Sequence, residues 1–274
     1  MERFVDVPGS RLFTVAEGKG PPIVLLHAWV ANHKAWDAMV PGLVDAGYRV
    51  IRYDTRTFGA SPTDDVEFSH RADLVAVLDA YGIERAALIG NSGGGRTAIE
   101  AAVEFPDRVA AVVAIGAGLQ GFQGEVTPLE RSLFAEWQRL EGADPKDPDA
   151  LTELGLRVWL DGPGESPDRV PADVREALRS MSRPLHDPGR VQGTAIELDP
   201  PTNDRLEELR CPVLAIAGAL DLVSVAGAAL RMEAGAPNTR AVIMPGVAHM
   251  IGMEKPDLLN ALVLDFLSPL RPWA

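Results

Sequence analysis

One serine in this chain is crowded by glycine. Residues 90–95 read Gly-Asn-Ser-Gly-Gly-Gly, which puts Ser92 at the centre of a Gly-x-Ser-x-Gly pattern. A serine hydroxyl becomes a useful nucleophile only when a base takes its proton, and the base works best when an acid orients it. Five histidines are available, at positions 27, 33, 70, 186 and 249. His249 is the candidate base, because it follows the last apolar run and precedes the last helical pattern. Asp221 is the candidate orienting acid, directly after the apolar run 212–220. The order Ser, Asp, His matches one known way of building this triad on a strand–turn–helix serine. The spacings are 129 residues from Ser92 to Asp221 and 28 more to His249. The chemistry implied is acyl transfer. Two backbone N–H groups must then hold the oxyanion, and Gly93 and Trp29 are the candidates. Gly93 follows the nucleophile and Trp29 follows the first buried strand.

Glycines around a serine also build phosphate cradles. However, the chain has no Gly-x-x-x-x-Gly-Lys-Ser/Thr run and no Gly-x-Gly-x-x-Gly opening its first crossover. Ser92 could be a plain structural turn, and Asp221 could cap a helix beginning near 225. Asp54 is a rival acid, but it precedes the serine and is followed by Arg56, which points to a structural ion pair. His27 closes a strand and reads as a loop-orienting residue. His33, His70 and His186 read as surface residues.

These residues need a frame. Apolar runs at 22–28, 48–54, 86–91, 109–117, 212–220 and 239–246 have little alternation. That is the signature of parallel strands covered on both faces. Runs near 3–7 and 11–16 alternate more and predict an antiparallel hairpin around Pro8-Gly9. Helical patterns at 33–47, 70–82, 96–105 and 255–267 lie between or after them. Strand and helix in alternation predict an α/β fold with a mostly parallel sheet. Ser92, Asp221 and His249 then all fall at carboxyl ends of strands, where open α/β sheets place their ligands.

Residues 119–190 break the rhythm. They hold 8 of the 22 prolines, no strong strand, and helical stretches at 129–142, 149–162 and 172–182. This predicts a helical cap (119–190) inserted into a core domain made of 1–118 and 191–274. The cap carries 14 acidic and 9 basic residues, so its outer face should be solvated. Its aromatic residues pack between cap and core, and Trp137 and Trp159 are candidates for lining a substrate pocket.

The net charge of −13, from 26 basic and 39 acidic residues, disfavours nucleic acid and anionic membrane surfaces as partners. The partner expected is a small-molecule substrate. The single cysteine, Cys211, rules out an internal disulfide framework and reads as a buried small apolar residue. The N-terminal residues show no basic-then-apolar pattern, and no apolar segment is long enough to span a bilayer. The expectation is a soluble cytoplasmic protein.

At these residues the chain resembles the α/β-hydrolase fold superfamily. The segments LLHAWVANHKAWD, RYDTRTFGASP, GNSGGG, GALD and PGVAHM match the family's landmarks in order, over essentially the full length. Within the superfamily it looks like the small bacterial esterase and enol-lactonase-like serine hydrolases. The resemblance implies an α/β-hydrolase fold with its cap between strands 6 and 7, and an acyl-enzyme mechanism with no metal or organic cofactor. Three departures stand out. His27-Ala28 replaces the usual His-Gly, which by the resemblance implies a narrower oxyanion hole. Thr57 stands where glycine is common. Asn91 precedes the serine where many relatives carry histidine, and it also occurs in relatives that hydrolyse carbon–carbon bonds. This keeps C–C hydrolysis, and perhydrolysis, as alternatives to ester or lactone cleavage; a non-catalytic binding protein is the remaining one.

Overall fold

The computed structural model describes residues 1–273. Its main sheet has eight strands: β1 (Glu2–Val7), β2 (Ser10–Gly18), β3 (Pro22–Leu26), β4 (Arg49–Tyr53), β5 (Ala86–Asn91), β6 (Val109–Ile115), β7 (Val213–Gly218) and β8 (Thr239–Met244). They lie in the order β1-β2-β4-β3-β5-β6-β7-β8. The β1–β2 and β2–β4 pairs are antiparallel and every other pair is parallel. Every residue of β3, β5, β6 and β7 is buried. Their continuous apolar runs therefore belong to strands with helices on both faces. β8, at the edge, has no fully buried residue.

Alternate side chains of each strand enter different cores. Leu88 of β5 and Val112 of β6 join Ala98 and Ala102 of α3 (Gly93–Glu104) on one face. Ile89 and Val113 join Leu43 of α1 (Val40–Asp45) and Val263 of α9 (Pro256–Leu267) on the other. α2 (His70–Ala80) and α7 (Val223–Gly235) complete the flanking layers. The helical pattern over 33–47 does not become one helix. It splits into a 3₁₀ turn, His33–Trp36, and α1, because Pro41 lies in the first turn of α1 and has no N–H to continue an earlier one.

Between β6 and β7 the chain is mostly helical, with α4 (Pro128–Glu141), α5 (Pro148–Leu156) and α6 (Ala172–Ser182), before a two-residue strand, Thr194–Ala195, pairs with Glu67–Phe68. Thr127 and Glu130 close a reciprocal capping box at the start of α4. The helix expected over 149–162 changes character at its end, with α5 running into one π-helical turn, Arg157–Asp161. A small apolar cluster joins this helical segment to the loops after β3 and β8: Leu156, Leu160, Leu178 and Met181 meet Ala28, Ala31 and Met250. No helix of the described residues is long and apolar enough to cross a membrane.

Candidate active site

Ser92 occupies the turn between β5 and α3 at φ 55, ψ −119. Among the described residues, only Ser92 and Thr57 take a positive φ without being glycine. Such a conformation costs roughly 1–3 kcal/mol and survives only when its surroundings enforce it. The enforcement is close backbone packing. A Cβ on Gly90 would fall 2.3 Å from the Gly94 carbonyl oxygen, and one on Gly94 would fall 2.3 Å from that of Leu26. The Ser92 N–H donates to the Ile115 carbonyl at 2.8 Å, tying the turn to β6. Gly95 is also explained: a Cβ there would fall 2.8 Å from both the Ala117 Cβ and the Gly90 oxygen.

Asp221 and His249 come together directly. Asp221 Oδ2 lies 2.7 Å from His249 Nδ1, and Oδ1 accepts the Leu222 N–H at 2.7 Å. Both residues are buried. Asp221 therefore orients a histidine and also receives an N–H from the segment leading into α7. Asn91 connects this pair to the serine turn. Its buried amide donates to the Ile115 carbonyl at 3.1 Å and to the His249 carbonyl at 3.2 Å. The backbone of the candidate base is thus bonded to the residue next to Ser92.

The candidate oxyanion donors are neighbours too. Gly93 begins α3, so its N–H has no intrahelical partner. Trp29 lies in the turn after β3, and no acceptor among the described residues takes its N–H. A Cβ on Gly93 would fall 2.2 Å from the Trp29 ring, so glycine is needed for the indole to lie against this turn. The positive end of α3 adds to the potential that an oxyanion would meet here.

Of the two cap tryptophans, Trp159 reaches the candidate base. Its ring centroid lies 4.7 Å from that of His249. Trp137 packs edge-on to His186 at 5.7 Å and flanks the same glycine, Gly155, as Trp159. Two buried cap-to-core ties escaped the sequence reading. Glu130 of α4 accepts the Val223 N–H at 2.7 Å, two residues from Asp221. Glu254, in the short helix α8 (Ile251–Glu254), accepts the Ala248 N–H at 3.0 Å and pairs with Arg169 of the cap at 2.5 Å. Burial pushes the Glu254 carboxyl above its ordinary value, against the opposing pull of Arg169. Each cap tie thus ends on the loop of one member of the Asp221–His249 pair. The only signal in the sequence was an acidic residue inside an apolar helical stripe.

Of the remaining histidines, His33, His70 and His186 differ from expectation and His27 does not. His27 is buried and accepts the Thr55 N–H on Nε2 at 3.0 Å, which makes it the loop-orienting residue expected. His33 and His70 are half-buried, not exposed as expected. The His33 ring meets Asp54 at 2.7 Å, whereas Arg56 pairs with Asp73 at 2.6 Å instead of with Asp54. His70 packs its ring between Trp29 and Phe68, at 5.2 and 4.9 Å. His186 is half-buried against Trp137. Cys211 is buried, and burial pushes its thiol up to about 11. No group of three or more His, Cys, Asp or Glu side chains among the described residues is arranged to hold a metal ion.

Comparison with known proteins fits this geometry. Residues 21–256 match the family described as the alpha/beta hydrolase fold. The chain is similar to epoxide hydrolase B of Mycobacterium tuberculosis, at 27% identity over 99% of each chain. It is also similar to a 2-hydroxy-6-oxononadienedioate/2-hydroxy-6-oxononatrienedioate hydrolase of Paraburkholderia phymatum, at 29% identity over 89% of this chain and 86% of that one. Among solved structures, the enol-lactonase from Burkholderia xenovorans LB400 shares the fold with a TM-score of 0.75, at 21% identity over 97% of this chain and 100% of that one. The chain is a hydrolase and belongs to the alpha/beta hydrolase fold family.

Proposed function

We propose that this hydrolase cleaves a small or medium ester or lactone through an acyl-enzyme. The observation that carries the reading is the buried Asp221–His249 pair, whose His249 carbonyl accepts from the amide of Asn91, the residue before Ser92. Ser92 Oγ attacks the carbonyl carbon as His249 takes its proton on Nε2. Asp221 holds the tautomer with Nδ1–H facing the carboxylate and stabilises the imidazolium. The N–H groups of Trp29 and Gly93 receive the oxyanion. The C–O bond then breaks, and His249 returns the proton to the leaving alkoxide, which stays tethered if the substrate is a lactone. Water activated by the same histidine resolves the ester on Ser92.

Epoxide opening fits these residues poorly, despite the similarity to an epoxide hydrolase. A serine that opens an epoxide becomes an alkyl ether, with no carbonyl for water to attack. An acyl substrate leaves an ester, which the same machinery can clear. The carbon–carbon alternative draws its support from the Paraburkholderia relative. The NH2 group of Asn91 is already committed to the Ile115 and His249 carbonyls, so it offers no free donor to a diketone.

The test is Ser92→Ala assayed on a panel of 4-nitrophenyl esters and lactones, with a 1,5-diketone beside them. Turnover should fall by about 10⁴-fold or more. Intact-mass analysis should show a fluorophosphonate adduct on the native chain and none on Ser92→Ala. Undiminished turnover would overturn the nucleophile, and a native rate on the diketone above every ester would shift the reading to C–C cleavage.

A further inference from the structure

The Trp29 side chain raises a question that its backbone does not answer. Its Nε1 is sealed from solvent and has no acceptor in the protein. Beside it, 5.2 Å between ring centroids, lies His70, the first residue of α2, whose Nδ1 is also sealed and unpartnered. Buried polar atoms are normally paired, and each exception calls for a reason. The sealed hydroxyls of Tyr48 and Tyr53 lie within the two cores that flank the sheet. The Trp29–His70 pair is placed differently. The indole lies against Gly93, directly after the nucleophile turn.

The surroundings of His70 fix its character. Phe68 meets its ring edge-on at 4.9 Å. Burial, then His27, Arg56, Arg96 and Arg71, push its pKa down to about 4. The positive end of α2 acts in the same direction. The neighbouring carboxylates are engaged elsewhere: Asp73 with Arg56, Glu100 with Arg71 and Arg96, Glu104 with Arg71, and Glu197 with Arg96. At neutral pH the imidazole is uncharged and presents one donor and one acceptor.

We infer that Trp29 Nε1–H and the His70 imidazole form a polar subsite that opens, by a turn of these partly exposed rings, to a second oxygen of the substrate. That oxygen belongs to a keto, amide or hydroxyl group a few bonds from the scissile carbonyl, on either the acyl or the alcohol part. An indole N–H and an uncharged imidazole suit a neutral group, because they cannot repay the burial of a full charge. Trp29 then offers its backbone N–H to the oxyanion and its side-chain N–H to the second oxygen. One residue thereby sets the separation between the two oxygens. The inference rests on the ester or lactone reading above.

Two matched pairs of esters test it: 4-nitrophenyl 4-oxopentanoate against the pentanoate, and 4-oxopentyl butanoate against pentyl butanoate. The native chain should favour the oxo member of at least one pair in kcat/KM. His70→Phe and Trp29→Phe should each lower that oxo-to-plain ratio about tenfold, the value of one hydrogen bond. His70→Gln, which restores a donor and an acceptor, should recover part of it. A purely structural histidine would lower both esters together and leave the ratio fixed. No oxo preference in either pair, or a preference that His70→Phe leaves intact, overturns the subsite while leaving the Ser92 result standing. Should the native chain turn over neither pair, calorimetry of Ser92→Ala with the same esters still decides. Tighter binding of an oxo ester, lost on adding His70→Phe, supports the subsite, and equal affinities overturn it.

Discussion

Two buried aspartates each hold a histidine ring at 2.7 Å: Asp221 with His249, and Asp54 with His33. Both follow a strand at its carboxyl end. They differ in what else they touch. Asp54 also accepts the His33 and Ala60 N–H groups at 2.8 Å, so it organises its own loop. His33 packs against Phe13 of the N-terminal hairpin, 5.1 Å away. His249 is bonded through its carbonyl to Asn91, beside the nucleophile turn, and Trp159 covers its ring. An Asp–His pair alone is therefore not a catalytic device. On the mechanism proposed above, the placement of the histidine relative to Ser92 is what would make one pair reactive and leave the other structural.

The sharpest way to break this comparison is to neutralise each aspartate. Asp221→Asn should lower kcat by about 10⁴-fold, by disturbing the tautomer and leaving the imidazolium uncompensated. Its denaturation midpoint should move little by comparison. Asp54→Asn should do the reverse, with kcat within about tenfold of native and a stability loss of roughly 1–3 kcal/mol. Burial pushes the Asp54 carboxyl up, but the His33 ring and then the Ala60 and His33 N–H groups outweigh it and hold the carboxyl below its ordinary value. A depressed carboxylate contributes stability above its unfolded value, and loses it as pH falls through its folded value. The Asp54 contribution should therefore fade only in acid, below the ordinary carboxylate value of 3.8. If Asp54→Asn instead abolished turnover at native stability, the assignment of the two pairs would be wrong.

A third histidine sharpens the contrast, because His70 has no carboxylate at all. Unfolded, its imidazole protonates near the ordinary 6.5; folded, it resists until about 4. Between those values the unfolded chain binds more protons, so stability rises with pH across the window and falls on acidification. The His70 part of that fall amounts to as much as about 3 kcal/mol. His70→Phe should flatten the curve of stability against pH between 6.5 and 4, measured by urea denaturation at a series of pH values. An unchanged slope would show that the ring is not held neutral.

What the sequence could disclose follows from how local each signal is. β3, β5, β6 and β7 were legible because burial on both faces leaves an unbroken apolar run. The pairing of Asp221 with His249 was legible because chain order and strand ends bring them to one edge without any need for side-chain contacts. His33 and His70 were misread because Phe13, Trp29 and Phe68 pack against them and cover part of each ring only after folding. Arg56 was paired with the wrong acid for a similar reason. Adjacency in sequence favoured Asp54, whereas the fold delivers Asp73 from α2. Thr57, a departure from the family pattern, holds a φ of 72, and its carbonyl accepts from Arg190 at 2.8 Å. No local rule anticipates a clamp reaching 133 residues back along the chain.

The smallest expected effect concerns the glycine that helix propensity cannot explain. Gly95 lies in the first turn of α3, where alanine would ordinarily be favoured by about 1 kcal/mol. Here a Cβ would press on the Ala117 Cβ and the Gly90 oxygen, each at 2.8 Å. Both contacts are with groups that cannot swing aside, and Gly90 itself supports the Ser92 turn. Gly95→Ala should therefore destabilise by about 1–3 kcal/mol, the usual cost of overpacking, rather than stabilise. It should also shift the α3 end of the turn and lower kcat more than it raises KM. A gain in thermal midpoint with native kcat would mean that the turn has slack, and that the glycines around Ser92 are not there to enforce its strained backbone.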